Sequence, residues 1–299
     1  MRSRVLAAVL LLTLAVCGCG GTPADPAPAA EDVVRVASYD FPENQTLAEV
    51  YAEGLRRAGL AVSVEHGIGT REVVLPAVEQ GVVDVVVDYL GTASEFLEPG
   101  AGSRSADPAV LRDELARDLA PRGMTVTAAA AAEDQNGFVV LTALAEQHGM
   151  TTLSQLAAVA PGLVFGGPPE CAERHFCLPG LREVYGLEFA AVRSMPSRAA
   201  TVEALLTGQV DVGMLETTDA HLLDASLLLL RDDRSLQPRE NVVPVVRTAV
   251  LERAGERLRT ALDAVSAQLT TFDLIRLNRA VAIDGRTPAE AAAQWWDGR

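Results

Sequence analysis

The segment PPECAERHFC, residues 168–177, places several chemically active side chains close together. Cys171 and Cys177 stand six positions apart and enclose Arg174 and His175. Two cysteines and a histidine could bind zinc, but no fourth ligand lies nearby. The spacing also lacks the Cys-x-x-Cys form of a thioredoxin-type redox centre. A disulfide is the third interpretation, and it requires a location outside the cytoplasm.

The N-terminus indicates that location. Residues 1–19 begin with two arginines, continue with an apolar run and end in Cys17-Gly18-Cys19, which predicts a secretory signal too short to span a bilayer as a mature helix. The end resembles a bacterial lipobox, in which a cysteine carries the lipid anchor. Cys19 fits better than Cys17 because Gly18 precedes it, although an ordinary cleaved signal is the alternative.

Removal of the signal and lipidation of Cys19 leave Cys171 and Cys177 as the remaining cysteines. Because both would lie outside the cytoplasm, a disulfide between them is the default expectation. Residues 20–32 (GGTPADPAPAAED) are rich in Pro, Ala and Asp, cannot form a packed core, and predict a flexible tether between the lipid anchor and the folded protein.

Composition limits the possible partners. The formal net charge of -15 argues against binding to nucleic acid or to an anionic membrane surface, and it is compatible with a cationic ligand. The hydrophobic share of 49% is enough for one large core or two medium ones. The four histidines show no metal-binding spacing, and we predict neither a metal nor a cofactor.

Short strand patterns alternate with helical patterns, which predicts an α/β protein with mostly parallel sheets. The chain ends in a wholly helical tail. The strand candidates are residues 33–38, 61–65, 82–87, 138–141, 163–166, 210–215, 227–230 and 242–246, and the helices between them include 43–58, 108–119, 153–159 and 199–206.

Residues 79–85 (EQGVVDV) and 206–212 (LTGQVDV) share a pattern of helix end, glycine and Val-rich strand, at an offset of 127 residues. Two lobes built on one plan would produce it, whereas chance recurrence in a single doubly wound domain is the alternative. Ligands of open α/β sheets bind at the carboxyl ends of the strands. We therefore predict that Tyr89 and Glu216 face each other across a cleft between lobes.

A set of short motifs gives a resemblance to a known family. They are residues 38–44 (SYDFPEN), 70–74 (TREVV), 88–92 (DYLGT), 135–138 (QNGF), 168–170 (PPE) with Arg174 and 178–181 (LPGL), 218–219 (TD) and 232–233 (DD). From about residue 33 to 296, the chain resembles the ProX/OpuC-type substrate-binding proteins of ABC importers for glycine betaine, choline and related osmoprotectants.

The resemblance implies a two-lobed type II periplasmic-binding-protein fold, with mostly parallel sheets, helices on both faces and the ligand in the cleft between lobes. The first lobe would contain residues 33–133 and 245–299, and the second residues 134–244. It further implies a monomer that performs no catalysis and delivers a small cationic solute to ABC permease and ATPase subunits.

Proteins of this family hold a quaternary ammonium against aromatic rings and its carboxylate with Arg, Lys and Thr. By this resemblance Tyr89 is an aromatic wall, and Thr92 and Arg174 form the carboxylate clamp. Phe138 stands where tyrosine is usual, and Tyr39 where a clamp lysine is usual. The remaining residues assigned to the ligand site are Asn136, Thr217, Glu216 and Glu240.

Glu216 and Glu240 stand where two cage tyrosines are usual, 24 residues apart. Carboxylates in a half-enclosed cleft attract a cation and accept charge-assisted hydrogen bonds from N–H groups. The ligand could therefore be a quaternary ammonium, or another amine such as a polyamine, a basic amino acid or an ergothioneine-like compound. Either glutamate could instead point into solvent.

The expected disulfide would hold Arg174 in place, because a guanidinium needs a fixed approach to grip a carboxylate with two hydrogen bonds. Alternatively the bridge only stiffens an exposed loop. Two other functions compete with transport. A secreted hydrolase could use Glu216 and Glu240 as an acid/base pair, although no nucleophile motif accompanies them, and a lipoprotein that has lost transport could act as a sensor.

Overall fold

The computed structural model describes residues 33–98 and 105–299. The predicted signal, the lipidation site Cys19 and the tether lie outside these residues. In the described part of the chain the strands are β1 (Val34–Ala37), β2 (Val62–Glu65), β3 (Val85–Tyr89), β4 (Met124–Val126), β5 (Asn136–Leu141), β6 (Val164–Gly167), β7 (Ala191–Ser194), β8 (Val212–Glu216), β9 (Leu227–Leu230) and β10 (Val242–Arg247).

The strands form two five-stranded sheets with one plan. The first has the order β2-β1-β3-β10-β4 and the second β7-β6-β8-β5-β9. In each sheet three neighbouring strands are parallel and the fourth, β10 or β5, is antiparallel to both of its neighbours. The short strands β4 and β7 were not predicted from the sequence.

Helices cover both faces of each sheet. They are α1 (Pro42–Arg57), α2 (Arg71–Glu79), α3 (Leu90–Leu97), α4 (Pro108–Leu119), α5 (Thr142–His148), α6 (Leu153–Leu156), α7 (Leu178–Tyr185), α8 (Arg198–Leu206), α9 (Thr248–Ala254), α10 (Glu256–Gln268), α11 (Thr271–Ala282) and α12 (Pro288–Asp297). The predicted two-lobed α/β fold is confirmed. We call the first sheet with its helices the first lobe, and the second sheet with its helices the second lobe.

Alternation along the strands builds a core on each face of the first sheet. Val85 and Val87 join one cluster with α1 and the C-terminal helices, whereas Val86 joins another with α2 and α4. Side chains of successive strand residues point to opposite faces, so a strand buried on both sides is apolar throughout. The second lobe also has a core on each face of its sheet. One cluster packs against α6 and α7, and the other packs against α8.

Two chain segments connect the lobes and run beside each other. Glu133 forms an antiparallel bridge with Asn241, and the backbone N–H of Asp134 donates to the carbonyl of Glu240 at 3.1 Å. Strand β10 joins the first sheet from Val242 onward, whereas the predicted boundary of that lobe lay at residue 245. Asp134 and Glu240 therefore sit side by side where the chain passes between lobes.

Among the described residues, no helix is long and apolar enough to cross a membrane. No group of His, Cys, Asp and Glu side chains in the same part of the chain is arranged to hold a metal ion.

Candidate functional site

A cavity of about 710 Å³ lies between the lobes. Tyr89, Arg174, Glu216 and Glu240, which the sequence argument placed across a cleft, line it together. Thr92 and Asn136 line it as well. Six carboxylate side chains contribute to the wall, against three arginines; they are Glu43, Glu95, Asp134, Glu216, Asp219 and Glu240, with Arg71, Arg174 and Arg198.

The strand directions bring these side chains to one place. Tyr89 is the last residue of β3, and it pairs with Val242 at the start of antiparallel β10, so Glu240 lies just before that pair. Glu216 ends β8 and pairs with Asn136, which begins antiparallel β5. The carboxyl ends of β3 and β8 thus each pair with the first residue of a strand that the chain enters after crossing from the other lobe.

Three aromatic rings stack along the first-lobe wall. The Phe41 ring centroid lies 6.1 Å from that of Tyr39, at an interplanar angle of 15°, and 6.1 Å from that of Tyr89, at 30°. Phe41 is 37% exposed and lines the cavity, whereas Tyr89 presents only the small exposed part of a buried side chain. Phe41 therefore gives the cavity its most accessible ring.

Two carboxylates beside these rings have neutral hydrogen-bond partners. Glu43 accepts from the Tyr89 hydroxyl at 2.7 Å and from the Asn278 amide at 2.6 Å. Asp134 accepts from the Thr218 hydroxyl at 2.9 Å. Burial, and then the nearby charge of Glu43, raise the pKa of Asp134 well above its usual range. Neither carboxylate has an ion-pair partner among residues 33–98 and 105–299.

Glu240 is buried against the start of α3. Its carboxyl group accepts from the backbone N–H of Thr92 at 3.1 Å and from the Thr92 hydroxyl at 3.4 Å. Burial raises the pKa of Glu240 to about 8, although the Thr92 N–H and the charge of Arg71 oppose the increase. At neutral pH Glu240 therefore holds its proton for most of the time.

Each of the three arginines that line the cavity lies next to a different acidic residue. Arg71 pairs with Asp88 at 2.6 Å. Burial opposes the charge of Arg71, but the charge and the hydrogen bonds of Asp88 together raise its pKa above the usual range. Arg198 contacts Glu216 directly. The third, Arg174, is 70% exposed and lies 3.8 Å from Glu170. The Glu216 carboxylate is thus already paired, unlike Glu43 and Asp134.

Three residues assigned to the ligand site do not line the cavity. The hydroxyl of Tyr39 donates to Asp88 at 2.6 Å, beneath the guanidinium of Arg71. Phe138 lies two residues inside β5, where its ring packs 6.4 Å from that of Phe165 in the second-lobe core. The Thr217 hydroxyl accepts from the Gln135 backbone N–H at 2.8 Å, so it supports the segment that enters β5.

The sequence reasoning did not assign Phe41, Glu43 or Asp134 to the site. Phe41 and Glu43 follow β1, which is parallel to β3, so their position after a strand was a usable signal. Asp134 precedes β5 in the segment between the lobes. No sequence pattern marked it, because its place depends on how the two connecting segments pair.

Cys171 and Cys177 lie within disulfide-bonding reach, with Cα atoms 5.2 Å apart. Both are buried in the second-lobe core, and the sulfur of Met214 lies 3.8 Å and 3.5 Å from their sulfur atoms. The loop between them carries Arg174 to the cavity wall, while Phe176, which also lines the cavity, accepts a hydrogen bond at its carbonyl from Gln237 at 2.9 Å.

Residues 32–298 match the family described as the substrate binding domain of ABC-type glycine betaine transport systems. The chain belongs to this family. It is 30% identical over 285 residues to the glycine-betaine-binding protein of Pseudomonas aeruginosa, covering 89% of this chain and 88% of the relative. It is also 25% identical over 277 residues to the glycine betaine-binding protein YehZ of Escherichia coli, covering 89% and 90%.

Solved structures show the same fold. A glycine betaine/carnitine/choline ABC transporter protein superposes with a TM-score of 0.81 at 20% identity, covering 89% of this chain and 98% of its own. Ligand-free YehZ from Escherichia coli gives a TM-score of 0.77 at 22% identity, with coverage of 89% and 98%. The family consists of extracytoplasmic substrate-binding proteins of ABC importers, and it is not an enzyme family.

Proposed function

We propose that this protein captures a small quaternary-ammonium solute of the glycine betaine and choline class and delivers it to the permease of an ABC importer. The observation that carries the proposal is the exposed ring of Phe41, stacked on Tyr89, beside two acidic side chains of the cavity wall, Glu43 and Asp134, that no arginine pairs with in the described part of the chain. The names of the relatives from Pseudomonas aeruginosa and Escherichia coli support the same class.

A quaternary ammonium cannot donate N–H hydrogen bonds, so a site binds it through contact area and electrostatic attraction. Ring faces attract cations by about 0.5–2 kcal/mol each, and carboxylates add Coulomb attraction, reduced by the cost of desolvation. The cavity of about 710 Å³ falls in the range of small-molecule sites and exceeds the volume of such a solute. Closure of the lobes around the ligand would reduce it.

The same proposal includes the attachment of the protein. The ending Cys17-Gly18-Cys19 supports lipidation at Cys19, which would anchor the protein at the outer face of the cell membrane through the tether of residues 20–32. The reach between Cys171 and Cys177 supports a disulfide in the oxidising space where the protein would work. A monomer suffices for the proposed function, because both walls of the cavity come from one chain.

A ligand screen tests the proposal. Binding to the native state alone stabilises the protein by about 2.7 kcal/mol at a ligand concentration one hundred times the dissociation constant, and therefore raises the melting temperature. The screen would include glycine betaine, choline, carnitine, ergothioneine, polyamines and basic amino acids, followed by calorimetry. The uncharged isostere of choline, 3,3-dimethylbutan-1-ol, is the matched control for the positive charge.

We expect choline or glycine betaine to raise the melting temperature and the uncharged isostere to leave it unchanged. Stabilisation by polyamines or basic amino acids alone would replace the quaternary-ammonium class with amines that donate N–H hydrogen bonds. The absence of a response to any cation would overturn the proposed function.

A further inference from the structure

The start of α3 is an anion-binding position that the protein fills with a side chain of its own. The first backbone N–H groups of a helix have no partner within the helix and attract carboxylates. Here the N–H and the hydroxyl of Thr92 both point to the carboxyl group of Glu240, at 3.1 Å and 3.4 Å. Arg71 donates to the same Thr92 hydroxyl at 2.8 Å and brings its positive charge nearby.

Glu240 fits this position closely. Its side chain is buried, and a Cβ atom added at Gly91 would lie 2.8 Å from Glu240 Oε1 and 2.9 Å from the backbone carbonyl of Arg239. Glycine at position 91 therefore lets the segment that carries Glu240 approach the helix. A ligand carboxylate would have to displace the Glu240 carboxyl group to reach the Thr92 donors.

The charges on the rest of the wall also disfavour a ligand carboxylate. The positive charges of Arg71, Arg174 and Arg198 each lie next to an acid, namely Asp88, Glu170 and Glu216. By contrast, Glu43 and Asp134 accept hydrogen bonds from neutral groups. The wall thus offers a ligand cation two acidic groups, Glu43 and Asp134, whose hydrogen-bond partners are neutral. The exposed Arg174 is the cationic group best placed for a ligand anion, and solvent screens it.

We propose that Glu240 determines the specificity of the cleft: its carboxyl group occupies the position of a ligand carboxylate, so that the site takes a quaternary-ammonium cation that carries no carboxylate. This inference rests on the proposed function, and it narrows the ligand from the whole class to compounds with a net positive charge. A zwitterion such as glycine betaine would have to place its carboxylate next to Glu240, or bind it only through the exposed Arg174.

Choline and glycine betaine are the probes for this inference, because they share a trimethylammonium group and differ in a hydroxyl and a carboxylate. Calorimetry would give both dissociation constants at pH 8.5, where the carboxyl group of Glu240 is largely ionised. The wild-type protein should bind choline about tenfold or more tightly than glycine betaine, because placing like charges together is costly at a binding site.

Two variants test the residue itself. Glu240→Gln keeps an acceptor for the Thr92 N–H without the charge. It should weaken choline binding and narrow the preference over glycine betaine, because the variant no longer repels the betaine carboxylate. Glu240→Ala frees both Thr92 donors, and should strengthen glycine betaine binding enough to reverse the preference. Glu203→Gln, which removes an exposed charge on α8 outside the cavity wall, should keep the wild-type ratio. Thermal melts of each variant would establish that it folds.

The outcomes distinguish a failure of the proposed role of Glu240 from a failure of the proposed function. Equal ratios of the two dissociation constants in the wild type and in both Glu240 variants would overturn the role of Glu240 and leave the proposed function intact. Tighter wild-type binding of glycine betaine than of choline would do the same. Failure of the wild type and all variants to bind either compound would overturn the proposed function itself.

Discussion

Tyr89 and Glu216 are equivalent residues of the two lobes, and they line the same cavity. Each ends the middle strand of its sheet, β3 or β8, and the two are 127 residues apart. The strands follow Gly81 and Gly208, whose φ angles of 74° and 68° are in the left-handed region that favours glycine. The short sequence repeat thus reflects a structural repeat that brings the ends of β3 and β8 to the same cavity.

The stacked rings lead to the first prediction. Replacing Phe41 by leucine removes the cavity's most exposed ring while keeping an apolar side chain, so binding of choline should weaken by about 3- to 30-fold, the range of a cation–π contact. Phe272→Leu is the matched control, because Phe272 is 58% exposed on α11 and does not line the cavity. Calorimetric titration of both variants measures the effect, and an equal loss in both would contradict a role for the Phe41 ring.

Much of the fold could be predicted because its signals are local. Valine-rich runs that follow Gly81 and Gly208 marked the middle strands, and Thr287 with Glu290 forms the capping box that begins α12. The strands β4 and β7 were missed. Strand β4 has only three residues, too few for periodicity to show, and β7 (AVRS) is exposed at every residue, so it lacks the apolar run that marked other four-residue strands.

The site was less predictable than the fold. Tyr89 and Glu216 follow from strand ends, but Phe138 sits in the core although the resemblance implied a ligand wall. The family pattern marks a position along the chain, whereas the Phe138 side chain points from β5 into the core beside Phe165. Asp134 and Glu240 lie side by side because the two connecting segments pair. This contact joins residues far apart in the sequence, and no local pattern encodes it.

The second prediction concerns the loop that carries Arg174. Closing the short loop between Cys171 and Cys177 with a disulfide should stabilise the protein by about 2 kcal/mol in the chain-entropy model. Replacing both cysteines by serine should lower the melting temperature accordingly. If the bridge also holds Arg174 at the cavity wall, the affinity for glycine betaine, whose carboxylate Arg174 could hold, should fall at a temperature where the variant remains folded. Unchanged affinity would indicate that the bridge only stiffens the loop.

The third prediction tests the packing of that loop without touching the cysteines. A Cβ atom at position 180 would lie 2.0 Å from the carbonyl oxygen of His175 and 2.5 Å from a methyl group of Leu236. Gly180→Ala should therefore push the loop away and destabilise the protein by about 1–3 kcal/mol, the usual cost of overpacking.

Gly162→Ala is the control for this change, since nothing lies within 4 Å of a Cβ atom there. Urea denaturation of both variants compares their stabilities. A Gly180→Ala protein as stable as the Gly162→Ala protein would show that the loop can move aside without cost.

The fourth prediction concerns pH. Glu240 has a pKa of about 8 in the folded protein, above its ordinary value of 4.5. Between these values the folded state binds more protons than the unfolded state, so the ligand-free protein should lose up to about 1.4 kcal/mol of stability per pH unit from this group. Asp134, whose pKa is also raised, acts in the same direction.

The groups around Glu240 determine how a ligand changes this behaviour. Arg71 and the Thr92 N–H favour its ionised form, whereas burial and Asp88 oppose it, and the charge of Glu240 in turn raises the pKa of Asp134. A bound cation adds to the first group, so choline binding should release a proton and strengthen as pH rises towards 8.

Urea denaturation and choline titration at pH 6, 7, 8 and 9 would measure both effects. A glutamine side chain cannot titrate, so both the stability and the choline affinity of Glu240→Gln should depend less on pH than those of the wild type, with Asp134 responsible for the remaining dependence. Glu203→Gln should reproduce both wild-type profiles, because the exposed Glu203 lies outside the cavity wall. Parallel profiles for the wild type and Glu240→Gln would show that Glu240 does not exchange a proton in this pH range, and that its charge is already fixed before a ligand arrives.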